Sequence, residues 1–75
     1  MERDQRNDIL ADLGERVRQH RRAHGWSQER FAELAGVHRT YIGAIERGQQ
    51  NVTVVTLVAI AEALSVDPGE LITRR

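Results

Sequence analysis

The sequence predicts an all-α fold, a compact bundle of five short helices in one domain. Apolar residues recur at helical spacing through each segment that holds them. Capping residues and glycines (Gly25, Ser27, Gly36, Gly48, Thr53 and the run Asp67-Pro68-Gly69-Glu70) divide those segments at intervals of one helix. No alternating polar and apolar stretch competes for a strand. The chain has 75 residues and no cysteine, so packing alone must hold a domain near the lower size limit for independent folding.

Each element has its own justification. Residues 1–7 are polar and are expected to form a flexible N-terminal segment, with the folded domain over residues 8–75. From Asp8 to Ala23, Leu10, Leu13, Val17 and His20 recur along one face of a first helix, which Gly25 ends. Ser27 caps a second, Gln28–Ala35, with Glu29 favourably near its N-terminus. Trp26 before the cap and Phe31 four residues into the helix form a hydrophobic staple. This helix is expected to bury Phe31, Ala32 and Leu34, and Gly36 supplies its left-handed stop. A third helix spans His38 to Arg47 and closes at Gly48. Thr53 caps a fourth, Val54–Leu64, with Leu57, Ile60, Ala61 and Leu64 facing inward. Asp67 as cap, Pro68 at the first helical position and Glu70 at the third start a fifth, Pro68–Ile72.

Composition removes several classes of function. The opening "MERDQRND" is charged and no long apolar run follows, so neither a signal peptide nor a membrane span is expected, and the expected location is cytoplasmic. Ser27 has no His/Asp partner at a catalytic spacing, and no hydrolase, kinase or nucleotide-binding signature occurs; no catalytic residue and no cofactor are expected. His20 and His24 stand four apart, as two metal ligands on one helix face can, but no third ligand follows nearby. No metal is expected, and His20 reads as a partly buried core residue. Eleven arginines balance eleven acids, so nucleic-acid binding has to rest on where the charges lie.

The stretch "GVHRTYIGAIERG", residues 36–48, is where they matter. Val37, Ile42 and Ile45 fall on one side, while His38, Arg39, Thr40 and Tyr41 crowd the first turn of the other. Two short helices joined by "AGVH", with small Ala32 allowing close approach, form a helix-turn-helix, whose second helix is presented to the DNA major groove. Arg39 can bond guanine O6 and N7 bidentately, and the Thr40 methyl suits thymine. Gly43 and Ala44, one turn on, are expected to keep the surface low so that bases approach. Residues 36–51 carry two Arg and one Glu, a weakly positive surface.

The segment "GWSQERFAELAGVHRTYIGAIERGQQNVTVVTLVAIAEAL" resembles the phage-repressor and Cro-like helix-turn-helix family, whose fold is the lambda-repressor-like DNA-binding domain. Within it, "HRTYIGAIERGQQNVTV" is most similar to the controller proteins of restriction–modification systems. The resemblance implies double-stranded DNA as partner, with His38, Arg39, Thr40, Tyr41 and Ala44 at the base-reading surface. It implies phosphate contacts from Gln28, Arg47, Gly48, Gln49, Gln50 and Asn51, and an ion pair between Arg21 and Glu46. It also allows Glu29 and Glu33 to form an acidic spot touching RNA polymerase. His38 departs from the Ser, Thr or Asp cap usual in the family, and Gly43 and Ala44 replace polar groups that help read sequence, so specificity rests heavily on Arg39 and Thr40.

One such module reads few base pairs, so paired half-sites and a dimer are the general solution. Val55, Val58, Ala59, Val66, Leu71 and Ile72 offer apolar surface beyond what five helices need, which reads as an isologous homodimer interface. The alternative for Leu71 and Ile72 is closure of the monomer core. Together these readings describe a dimeric, sequence-specific transcriptional regulator, with no small-molecule effector expected because no second domain is present. Two rivals stand beside it: a phage-type repressor or Cro-like switch, and a protein-interaction module such as part of an antitoxin or co-regulator.

Overall fold

The computed structural model describes residues 3–72, with side chains from Arg6 onward. Its elements are α1 (Arg3–Ala23), α2 (Gln28–Ala35), α3 (Arg39–Glu46), α4 (Val54–Leu64) and α5 (Pro68–Ile72). No strand occurs among the described residues. The limits of α2, α4 and α5 are those the local signals indicate. Helix α1 begins five residues before Asp8, because Arg3–Asn7 contains no helix breaker and needs no apolar period to extend a helix already nucleated. Residues 3–7, expected to be loose, are therefore helical, and Met1 and Glu2 lie outside the described residues. Helix α3 is one residue shorter at each end than expected, since His38 and Arg47 are its caps.

The ends form as their chemistry dictates. The Ser27 hydroxyl accepts from the Arg30 N–H at 3.0 Å, and that of Thr53 from the Thr56 N–H at 3.1 Å. Asp67 Oδ1 accepts from the Gly69 N–H at 2.8 Å while Glu70 reaches back to the Asp67 N–H at 3.2 Å, a reciprocal capping box. Gly36 takes φ +73°, a conformation that strains any residue with a Cβ, and this left-handed step turns the chain from α2 into α3. Trp26 and Phe31 stack at 6.1 Å to close the staple. His24 stacks on Trp26 at 4.1 Å and sets its Nε2 2.9 Å from the Leu64 carbonyl oxygen, so its ring ties the end of α1 to the end of α4.

The core comprises Leu13 and Val17 of α1, Phe31, Ala32 and Ala35 of α2, Ile42 and Ile45 of α3, Ile60, Ala61 and Leu64 of α4, and Leu71 of α5. Leu34, expected inside, is 42% exposed. Phe31 and Ala35 stand four apart on the inner stripe of α2, and Leu34 falls on its flank. Where α1 crosses the last turn of α3, Gly14 is buried. A Cβ there would lie 2.7 Å from the Glu46 carbonyl oxygen and closer still to that of Ile45, so only glycine permits this crossing. The close approach fixes how far α3 stands from the body of the domain.

Candidate nucleic-acid interface

A buried ion pair anchors the recognition side. Arg21, near the end of α1, donates from Nε to Glu46 Oε2 at 2.7 Å and from Nη2 to Oε1 at 3.0 Å, a bidentate pair with the last residue of α3. Its Nη1 donates to the Trp26 carbonyl at 2.7 Å. Hydrogen bonding to Glu46 raises the Arg21 pKa above its ordinary value, burial opposes this, and the carboxylate charge adds to the rise. The side chain of Gln28, the first residue of α2, donates from Nε2 to Glu46 Oε1 at 3.0 Å. One carboxylate thus ties three helices together at the base of α3.

The outward first turn of α3 is polar. His38 caps it: Nδ1 accepts from the Thr40 N–H at 3.0 Å, which pins the ring at the helix entrance. Arg39 and Thr40 are exposed, and no ion pair with a described residue engages Arg39. Arg39 borders a shallow depression with Ser27, Gln28 and Glu29 at the start of α2. Tyr41 is half-buried and packs against the core, so it is the least available of the four first-turn side chains. Ala44 is partly exposed.

The middle of the helix differs from expectation. Gly43 is buried, and the place of its absent side chain is occupied: a Cβ there would lie 3.0 Å from Arg47 Nη1 and 3.7 Å from Gln28 Oε1. The glycine makes room within the protein, and its backbone is not laid open to a ligand. Arg47 also donates from Nε to Gln49 Oε1 at 3.0 Å. Gln50 is half-buried and Asn51 exposed in the loop that follows. Gly48 takes φ +73° and would bring a Cβ within 3.1 Å of the Ala11 Cα, so this loop is drawn onto α1. Among the residues assigned to phosphates, Gln28 already spends one side-chain N–H on Glu46, leaving its second N–H and the backbone N–H at the α2 terminus. Sequence reasoning placed Gln28 and the Arg21–Glu46 pair in separate roles, and only the tertiary contact joins them.

The residues assigned to self-association divide. Val55 and Val58 of α4 and Ile72 of α5 are exposed, at 79%, 38% and 49%, whereas Ala59 and Val66 are half-buried. Leu71 is fully buried in the monomer core and is withdrawn from the interface, because α5 docks through this residue. Val54 was missed. It is 76% exposed and shares a face with Val58 one turn on, a relation its position in "VVTLV" already contained. Among the described residues, no helix is long and apolar enough to cross a membrane.

Comparison with known proteins agrees with this geometry. A family model described as helix-turn-helix matches residues 17–71. The chain is 47% identical over 68 residues to the control protein C.SmaI of Serratia marcescens, covering 91% of this chain and 81% of that protein. It is 42% identical over 67 residues to the control protein C.BamHI of Bacillus amyloliquefaciens, covering 88% and 83%. The crystal structure of the restriction–modification controller protein C.AhdI from Aeromonas hydrophila superposes with a TM-score of 0.80 at 47% identity, covering 83% of this chain and 94% of that one. The chain belongs to the helix-turn-helix family; it is a DNA-binding regulator similar to restriction–modification controller proteins, not an enzyme.

Proposed function

We propose that this helix-turn-helix regulator acts as a cytoplasmic homodimer on two-fold symmetric duplex operators, in the manner of a restriction–modification controller, acting at its own promoter and at that of an endonuclease. The observation that carries the reading is the division of α3: Ile42, Ile45 and Glu46 are locked into the domain while Arg39 and Thr40 stand exposed at the end that enters a major groove. The exposed Val54, Val55, Val58 and Ile72 supply the apolar surface on which a second copy would sit. Glu29 and Glu33 are exposed and available to RNA polymerase, though Glu33 already accepts from Arg30 at 3.2 Å. With occupancy coupled to dimerisation, protein concentration itself sets the regulatory state.

Selection from random duplex DNA at near-physiological salt, followed by sequencing of the bound fraction, tests this reading. The expected result is a two-fold symmetric motif with guanine in each half-site, bound by a dimer. A folded protein that enriches no motif would overturn it and favour a protein-interaction module. Genes for a methyltransferase and an endonuclease beside this one would separate a controller from a phage-type switch.

A further inference from the structure

The resemblance gives Arg47 to the phosphate backbone, and its head group bridges the loop and the helix: Nε donates to Gln49 Oε1 at 3.0 Å. Its guanidinium lies over Gly43, one helical turn back toward the N-terminus of α3, with Nη1 3.0 Å from where a Cβ at 43 would stand. This is the direction in which helical side chains lean. Arg39, Gly43 and Arg47 are successive i, i+4 positions, so the Arg47 head group over Gly43 lies on the strip of the helix whose first turn carries Arg39. A Cβ at 43 would require the Arg47 head group to shift by some tenths of an ångström from this seat, and a longer side chain would take its place. No ion pair with a described residue neutralises either arginine; the Nε partner of Arg47 is the neutral amide of Gln49. Within residues 36–51 the one carboxylate, Glu46, is buried and bonded to Arg21 and Gln28. Of the neighbouring acids, Glu29 borders the depression beside Arg39 without an ion pair to it, so two arginines face one exposed carboxylate.

We infer that Arg47 is a second base-reading arginine, seated in the slot that Gly43 leaves open, so that the half-site carries a guanine contact beyond that of Arg39. The inference rests on the proposed docking of α3 in the major groove. A guanidinium drawn back along α3 approaches the base edges that Arg39 and Thr40 face, and its planar fork matches guanine O6 and N7. The glycine then serves specificity at the expense of helix propensity, since alanine is the better helix former.

The test repeats the random-duplex selection with the full chain, its Arg47→Lys and Gly43→Ala variants, and Arg39→Ala as reference. Lysine keeps the charge but loses the fork. Arg47→Lys is therefore expected to lose preference at one base pair per half-site, distinct from the pair lost in Arg39→Ala, with the salt dependence of binding unchanged. Gly43→Ala is expected to relax the same pair while its melting temperature stays level or rises, which separates displacement of Arg47 from damage to the fold. An unchanged motif in Arg47→Lys overturns the inference and returns Arg47 to the phosphate backbone, with the wild-type motif still standing for the proposed function. If the wild-type protein enriches nothing, the docking of α3 itself fails and the inference falls with it.

Discussion

Helices α3 and α4 are held by the same core, yet they turn opposite surfaces to solvent. Ile42 and Ile45 seat the first, and Ile60, Ala61 and Leu64 the second. Outward, α3 shows Arg39, Thr40 and the head of Arg47, all hydrogen-bonding groups. Outward, α4 shows Val54, Val55 and Val58. The internal fixings differ in the same sense: α3 ends on a buried, bidentate ion pair, whereas α4 is capped by a hydroxyl, meets the His24 ring at its Leu64 carbonyl, and packs its inner face through hydrocarbon. A charged, hydrated partner demands that the reading groups be held in one register, which directional bonds provide. A second copy of the chain can be met by non-directional apolar burial. From one small core, the two faces thus offer different kinds of contact, directional and polar on α3, apolar on α4.

The largest effect comes from breaking the α3 anchor. Glu46→Ala leaves Arg21 buried without its carboxylate and frees Gln28, which should cost about 3–5 kcal/mol of stability in urea denaturation. A loss below about 1 kcal/mol would mean that Arg21 reaches water or another acceptor easily, and that α3 is not fixed as described.

Two neighbouring residues sharpen the α4–α5 side. Leu71→Ala should cost about 2–5 kcal/mol by the same measurement, because the site is fully enclosed. Ile72→Asp should shift sedimentation equilibrium toward monomer while moving stability by less than about 0.5 kcal/mol once dimer dissociation is allowed for. If Ile72→Asp left the oligomer unchanged, this residue would lie outside the interface and the valines of α4 would carry the contact alone.

The effect on DNA binding is the most specific. Arg39→Ala should weaken binding to the selected motif by about 1–3 kcal/mol, relax preference at one base pair, and leave thermal stability unaltered. Equal weakening on every sequence would reassign Arg39 to the phosphates and reduce the contrast between the faces to charge alone.

Much of the domain was legible before any coordinates. The staple of Trp26 on Phe31, the caps at Ser27, Thr53 and Asp67, and the left-handed Gly36 each depend on residues within a few positions of one another. The Arg21–Glu46 pair was legible only through family resemblance, since 25 residues separate its members. Gly43 was read as clearance for DNA because a sequence does not show which side chain will fold over a vacancy. Leu34 was misplaced because a helix of eight residues gives too short a period to separate its inner stripe from its flank.

By itself the sequence determined the helical class, the order of the helices and the limits of α2, α4 and α5, and the crowding of polar groups at the start of α3. These follow from hydrogen bonds and periodicities that close within one or two turns of chain. Only the tertiary structure decided that Gly14 lets α1 meet the backbone of α3, that Leu71 faces inward while Ile72 faces out, and that Gln28 and Arg21 share one carboxylate. Those outcomes depend on where helices cross, and a crossing is set by the summed packing of residues far apart in the chain.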